Sequence, residues 1–463
     1  MCDCRYTQAV TSDADLRAYV DAVRRLLDHG GYERTGNAAD AKKWDIDHIV
    51  RFLEAEGLEG RGRPDRRHTV HVAGSKGKGS TATMVDAILR SAGAHTLLET
   101  SPDLHQARER IAIDGEALDH AQFAAVAGRL LGDEASAGWS YFELLTVMGW
   151  LAAAEAGCDW QVLECGLGGR LDTTNAVAEK AVAVVTPIDL EHTAILGETV
   201  AAVAAEKAAI ITAGCQAVVS PMRASALDVM RARAEEVGAP LHVVEEQCAM
   251  RVAGQSLEGQ RLDLKTPLRG YRGLQLPLAG PHQAQNAATA VLAAELAWAS
   301  TGEELPEAAV KQGLAGVRCP GRFEVLKRSP LVVIDAMHTP LSARRFRQTV
   351  AALPLPPQRV YVVGLLGGKE TQGIADTLVE PGETVVVAPP ASRRAADPAE
   401  VAAAFTAAGA SVQTAPGIAD ALEVASAIAG DRGAVFAVGG IVTAAEAREE
   451  LLTVTGDRAF GLR

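Results

Sequence analysis

Aromatic residues are scarce in this 463-residue chain, where Phe, Trp and Tyr together make up 4%. So few large rings, beside abundant Ala, Gly, Val and Leu, argue against an all-β sandwich and for Ala-rich helices packed on aliphatic strands. Basic charge is also short: 45 Lys and Arg face 58 Asp and Glu, a formal net charge of -13. The overall field repels nucleic acid and anionic membranes, so neither is expected as a partner and a polyanionic ligand must be caught locally. Long apolar runs are missing, since Ala181–Pro187 and Ala201–Ala205 fall far short of a bilayer span. The opening Met1-Cys2-Asp3-Cys4 lacks the basic-then-apolar pattern of a signal peptide, and a cytoplasmic protein is expected. The seven cysteines contain no C-x-x-C pair, which excludes a zinc site of that spacing and favours reduced thiols. Cys2 and Cys4 offer at best a weak two-thiol grip on a soft metal.

What is present suits two α/β domains. The chain is 48% hydrophobic, enough for one or two ordinary cores. Leu16, Val20, Val23 and Leu27 recur at helical spacing in a lead-in over residues 1–43. Strands are expected at His68–Ala73, Trp160–Glu164, Ala181–Thr186 and Ala217–Val219, with helices at Phe142–Ala156 and Val200–Ile211, an alternation that implies a largely parallel sheet. Val252–Leu278 has no helical period and reads as a small antiparallel side sheet. Helices at Gln283–Ser300 and Pro306–Leu314 then lead to the turn-rich Gly316–Arg322. The alternation restarts beyond it, with strands at Leu331–Ile334, Arg359–Val363, Thr384–Val387, Ser411–Thr414 and Ala434–Val438, so the boundary is placed between residues 44–320 and 321–463.

The strongest chemical signal is Ala73-Gly74-Ser75-Lys76-Gly77-Lys78-Gly79-Ser80-Thr81, between the first strand and a helix. Helix N-terminal amides favour an anion there, Gly74, Gly77 and Gly79 let the backbone wrap a phosphate, Lys78 neutralises it, and the Ser80 and Thr81 hydroxyls suit magnesium. The spacing differs from the usual P-loop and resembles the ATP loop of the Mur ligase superfamily. Further blocks narrow the resemblance to the folylpolyglutamate synthase and dihydrofolate synthase family. They are Thr100–Leu104 with Glu109-Arg110-Ile111, Ser140-Tyr141-Phe142-Glu143, Glu164-Cys-Gly-Leu-Gly-Gly-Arg-Leu-Asp-Thr-Thr-Asn175, Pro187–His192, Glu206–Ile211, Gly280–Asn286, Gly321-Arg322, Asp335–Pro340 and Gly364–Lys369. They run in the family's order across roughly residues 44 to 370.

The resemblance implies a P-loop-type, largely parallel ATPase domain followed by a smaller Rossmann-like α/β domain; a monomer is expected, the sequence itself leaving other oligomeric states open. It implies an ATP-dependent amide ligase that adds L-glutamate to dihydropteroate, (tetrahydro)folate or both through an acyl phosphate. Lys78, Lys207 and His192 would be catalytic, with Lys207 carbamylated. Gly74, Ser75, Gly77, Lys78, Gly79, Ser80, Thr81, Asn286, Arg322, Asp335 and His338 would meet ATP, and Ser101, Glu164, His192 and Ser80 would hold Mg2+. Ser140, Tyr141, Phe142, Glu143, Leu171, Asp172 and Thr173 match the pteroate-contacting positions. Taken singly, each has a blander reading: Glu164 as a solvated strand end, His192 as a helix-flanking residue, Lys207 as a snorkelling lysine, Asn286 as an exposed amide, Arg322 as a surface pair, Phe142 as core.

The chain departs from the family at Asp103, where a histidine is usual, at Lys76 in the loop, at Ala336 and Thr339, and in its extended N-terminus. Two other readings follow. One is a Mur-type ligase for a different carboxylate, disfavoured by the Ser140–Glu143 and Glu109–Ile111 blocks. The other is a nucleotide-binding sensor without turnover, disfavoured by the joint presence of Glu164, His192 and Lys207.

Overall fold

The computed structural model describes residues 12–41, 45–56 and 67–462; Cys2 and Cys4 lie outside them. The first sheet contains β1 (His68–Ala73), β2 (Thr96–Glu99), β3 (Ile111–Ile113), β4 (Glu116–Ala117), β5 (Trp160–Glu164), β6 (Val182–Val185), β7 (Gln216–Val219) and β8 (Leu241–Val243), in the order β4-β3-β2-β5-β1-β6-β7-β8. All neighbours from β2 to β8 are parallel, and β3 and β4 form an antiparallel edge. A parallel sheet is covered on both faces, which is why its strands read as aliphatic runs.

Alternation along β1 divides the cover. Val70 and Val72 pack with Met84, Val85 and Ile88 of the Lys78–Ser91 helix and with the Pro281–Ala299 helix. On the other face, Leu163 packs under the Tyr141–Ala156 helix, while Ala183 and Val185 pack under Val200–Ala208. The N-terminal helix Asp13–Asp28 lies in the same cluster as Leu163, burying Tyr19, Val23 and Leu26.

A three-stranded antiparallel sheet follows, β9 (Ala249–Ser256), β10 (Gly259–Lys265) and β11 (Gly270–Leu276), where the sequence suggested a side sheet. The last sheet contains β12 (Glu324–Arg328), β13 (Leu331–Asp335), β14 (Arg359–Val363), β15 (Thr384–Val387), β16 (Ser411–Thr414) and β17 (Ala434–Val438), ordered β12-β13-β17-β14-β15-β16. Only β12 is antiparallel in it. The architecture is the expected one: a parallel-rich sheet domain, then a second, smaller α/β unit.

The chain's end returns to the first sheet's cover. Asp457 is buried, accepting from the Tyr19 hydroxyl at 2.8 Å and the Ala107 amide at 3.0 Å, and Leu462 joins the Tyr19 cluster. His105 Nδ1 meets Glu449 Oε1 at 2.8 Å, a second tie between the units. Among the described residues, no helix is long and apolar enough to cross a membrane.

Candidate active site

The phosphate loop leaves β1 at Gly74 and enters the Lys78–Ser91 helix through Gly77. Both glycines are required by geometry. Gly74 has φ +147° and lies against Thr186, whose hydroxyl a Cβ would overlap; Gly77 has φ +90°, and a Cβ there would stand 2.7 Å from Asn286 Oδ1. The Ser75 and Lys76 amides donate to the Pro187 carbonyl at 3.0 and 3.2 Å, fixing the loop to the end of β6.

Charge gathers around the loop. Lys78 Nζ donates to the Gly74 carbonyl at 3.1 Å, and Lys207 Nζ donates to the same oxygen at 2.8 Å and to Glu191 Oε1 at 2.9 Å. Lys76 Nζ reaches Glu191 Oε2 at 3.5 Å. Burial alone would raise the Glu191 carboxyl, but Lys207, Lys78 and Lys76 overcome it and hold it at about 2. Burial lowers Lys207, with Glu191 pulling the other way.

Glu164 ends β5 beside the helix start: a Cβ at Gly79 would stand 3.1 Å from its Oε2, which also accepts the Ser101 amide at 3.0 Å. Burial raises this carboxyl, opposed chiefly by Lys78. Ser80 Oγ accepts from Gln283 Nε2 at 3.4 Å, and Asn286 Nδ2 donates to Gln283 Oε1 at 3.0 Å, so the Pro281–Ala299 helix is bonded to the loop. His192 lies in the left-handed region at φ 48°, its Nδ1 2.9 Å from the Tyr32 hydroxyl. Desolvation in the cleft, together with nearby lysines, lowers its pKa to about 4, so the ring is neutral at neutral pH.

These groups open on a cleft of about 490 Å³, inside the size range of small-molecule sites. It is lined by Ser75, Gly77, Lys78, Gly79, Ser80, Ser101, Glu164, His192 and Asn286, by Ser140, Tyr141, Phe142, Glu143, Leu171, Asp172 and Thr173, and by Arg322, Asp335 and His338 across the domain seam. Three expected residues are not on its wall. Gly74 and Lys207 brace the loop from behind. Thr81 is wholly buried, because one step along a helix turns a side chain about 100° from Ser80.

The pteroate-matching block has structural duties as well. Ser140 and Glu143 cap the Tyr141–Ala156 helix reciprocally: Ser140 N donates to Glu143 Oε2 at 2.6 Å, and Glu143 N donates to Ser140 Oγ at 3.3 Å. Glu143 Oε1 also meets His48 Nε2 at 3.1 Å. Tyr141 is buried under the Arg110 guanidinium, 5.2 Å from its ring centre, and burial pushes the phenol up to about 12. Asp103 pairs with that arginine, its Oδ1 2.7 Å from Arg110 Nε, and Glu33 takes the other edge of the guanidinium. The departure from histidine thus supplies a buried anion for Arg110.

Across the seam, Asp335 accepts from two backbone amides, Phe323 N at 2.9 Å and Met337 N at 2.8 Å. Phe323 has φ 43°, a strained value for an aromatic residue, so this carboxylate pins the turn that presents Arg322. His338 Nδ1 bonds the Ala336 carbonyl at 2.9 Å, and burial keeps its ring neutral, at about 3. Thr339 caps the Pro340–Ala352 helix with Ser342, which accounts for a hydroxyl at that position.

Among the described residues, no cluster of three or more His, Cys, Asp and Glu stands close enough to hold a metal. Of the residues expected to hold one, Glu164 offers a carboxylate, Ser80 and Ser101 hydroxyls, and His192 a neutral imidazole. That set suits a magnesium ion shared with nucleotide phosphates, which needs one or two carboxylates. Sequence reasoning did not select Tyr32, Glu33, Glu191, Lys369 or Arg394, all on the cleft wall. Glu191 stood inside a recognised block, whereas Tyr32 carried no local signal.

Family models match over most of this frame: the Mur ligase middle domain over residues 72–294 and the Mur ligase glutamate ligase domain over residues 321–441. Dihydrofolate synthase/folylpolyglutamate synthase of Mycobacterium tuberculosis is 36% identical over 428 residues, 84% of this chain and 87% of that one. The Mycobacterium tuberculosis folylpolyglutamate synthase structure complexed with ADP and AMPPCP superposes with a TM-score of 0.82 at 32% identity, covering 94% of this chain and 98% of that one. Escherichia coli FolC in complex with DHPP and ADP gives 0.77 at 27% identity, covering 89% and 94%. The chain belongs to the dihydrofolate synthase/folylpolyglutamate synthase family within the Mur ligases and is an ATP-dependent carbon–nitrogen ligase.

Proposed function

We propose that this protein joins L-glutamate to dihydropteroate, to (tetrahydro)folate, or to both, through an acyl phosphate made with ATP. The carrying observation is a single cleft lined at once by the phosphate loop, Glu164, the Ser140–Glu143 and Leu171–Thr173 groups, and Arg322 of the second domain. The names and ligands of the relatives above support the same reading. Residues 44–320 would form the ATP-binding domain and 321–463 the closing ligase domain, with 1–43 as lead-in. All of these groups come from one chain, so a monomer suffices.

In the first step a carboxylate oxygen of the acid attacks the γ-phosphorus and ADP leaves. Lys78 and the amides of the loop neutralise the charge of the transferring phosphoryl group. Magnesium, when bound, adds further neutralisation, and Glu164, Ser80, Ser101 and the neutral His192 would hold it. In the second step the glutamate nitrogen attacks the acyl carbon, phosphate departs with the former carboxylate oxygen, and the nitrogen loses a proton. Arg322 orients the phosphates as the second domain closes, Asp335 holds its turn, and His338 and Asn286 flank the nucleotide. Phe142 offers a ring face to a pterin, and Asp172 accepts one of its N–H donors.

Lys207 has two readings. As an ammonium it ties the Gly74 carbonyl to Glu191. Burial favours the neutral amine that takes up carbon dioxide, and the resulting carbamate would be an anion beside Lys78 and against Glu191. Product formation dependent on ATP and glutamate, measured in parallel with dihydropteroate and with tetrahydrofolate, tests the function. Amide product from at least one acid is expected; none from either, with another carboxylate accepted, would overturn it.

A further inference from the structure

A line of buried polar groups runs beneath the cleft, and the roles above leave it unused. His71 sits in β1 between Val70 and Val72, wholly buried at the centre of a parallel sheet, where an aliphatic residue would be expected. Its Nε2 lies 2.8 Å from Thr174 Oγ1 and 3.1 Å from Cys165 Sγ. Thr174 Oγ1 in turn lies 2.5 Å from Asp172 Oδ1. Asp172 faces the cleft.

The direction of the chain follows from donor and acceptor capacity. Burial raises the Asp172 carboxyl, and the Thr174 and Leu167 bonds and Lys78 oppose it; in its ionised form it only accepts, so the single hydroxyl proton of Thr174 goes to Asp172. The Thr174 oxygen must then accept, which places the proton of His71 on Nε2. His71 is held neutral by burial, its pKa lowered well below the ordinary value. Its Nδ1 has no hydrogen-bond partner among the described residues, so Nε2 is the ring nitrogen with an acceptor to donate to.

Asp172 already accepts the Leu167 amide on Oδ2 at 2.8 Å and the Thr174 amide on Oδ1 at 3.1 Å. The Thr174 amide bond alone caps the short helical turn Thr173–Ala176, and the Leu167 bond ties the preceding loop. The hydroxyl bond backed by His71 adds something else: it fixes the rotation of the carboxylate and leaves one acceptor position, on Oδ2, for a donor in the cleft.

We infer that His71, acting through Thr174, is a positioning residue for Asp172, orienting that carboxylate to accept an N–H donor of the acid substrate. The inference rests on the proposed substrate role of Asp172. Removing the relay should weaken acid binding and leave ATP handling and chemistry alone.

The test is steady-state kinetics of the full-length enzyme with dihydropteroate and with tetrahydrofolate. Thr174→Val should raise KM for the accepted acid about tenfold, the scale of one charge-assisted hydrogen bond, with kcat and KM for ATP within about twofold. Thr174→Ser should restore it. His71→Leu should give the same split, His71→Gln, which keeps a donor near Nε2, should recover most of it, and the His71→Leu/Thr174→Val double variant should be no worse than either single, because the two act as one unit. Should His71→Leu fail to fold, the Thr174 pair carries the test. In ¹⁵N-histidine NMR of the wild type, His71 should be the Nε2–H tautomer. Equal rises in KM for acid and ATP, no rescue by serine, additive effects, or an Nδ1–H tautomer would overturn the relay. Asp172→Asn separates the two levels. An unchanged acid KM refutes the substrate role of Asp172 and the relay with it; a raised KM beside an inert Thr174→Val refutes the relay alone.

Discussion

The two walls of the cleft hold their polar groups in different ways. In the first domain the groups are tied to one another: Lys207, Lys76 and Lys78 converge on Glu191 and the Gly74 carbonyl, and Glu164 stands against the helix start. In the second domain they are tied to their own backbone: Asp335 binds the Phe323 and Met337 amides, and His338 binds the Ala336 carbonyl. A charge network of the first kind is suited to stabilising a transferring phosphoryl group, whereas a braced turn of the second kind is suited to delivering one guanidinium, Arg322, at a defined place. Chemistry and closure are thus assigned to different domains, and substitutions on the two walls should fail differently.

The largest expected effect is at Lys78. Lys78→Ala should lower turnover about a thousandfold with a smaller loss of melting temperature than Lys207→Ala, because the residue lends charge to the phosphates, Glu164 and Glu191 and no core packing. Kinetics beside a thermal melt check this, and near-normal turnover would remove the loop from the account. Lys207→Ala should fail on both counts. Amide formation should fall at least a hundredfold, and stability should drop by about 3 kcal/mol, because Glu191 loses a partner in a largely buried place. Lys207→Arg separates the two readings of that residue: full activity would exclude the carbamate, since arginine keeps its charge.

Arg322→Ala should lower the rate about tenfold and weaken ATP binding with little loss of stability. Small-angle scattering should show the wild type compacting with ATP, magnesium and acid, and the variant compacting less. Identical profiles and kinetics would make Arg322 a surface residue. The smallest effect concerns Glu99, behind the cleft in the first domain, which burial raises from an ordinary 4.5 to about 8. The folded state therefore keeps a proton that the unfolded state releases between those values, so the contribution of Glu99 to stability falls as pH rises from 4.5 to 8. Glu99→Gln should remove that contribution, so that its melting temperature gains on wild type as pH rises and stands a few degrees above it at pH 9.

Much of this was legible in the sequence because two signals are local. The parallel strand Val182–Val185 is aliphatic along its whole length, Arg359–Val363 is apolar after its first residue, and the phosphate loop carries its geometry in its glycines. The short strands β2, β3 and β4 were not legible, being two to four residues long and defined by pairing rather than by pattern. Thr81 was placed at the site as the last residue of the loop motif, and helical rotation buries its side chain. Tyr32 was missed because its partner, His192, lies 160 residues away. The roles of Asp335 and Asp103 are likewise set by partners that only the folded chain brings near.

The central claim is that the cleft activates a carboxylate by phosphorylation before the amine arrives. The most direct measurement is isotope transfer: the acid substrate carrying ¹⁸O in the carboxylate that reacts, turned over with ATP and glutamate, and the released phosphate analysed by mass. One labelled oxygen is expected in each phosphate formed, because the bond broken by the amine is the one between the acyl carbon and that oxygen. Phosphate free of label, with amide product formed, would contradict it.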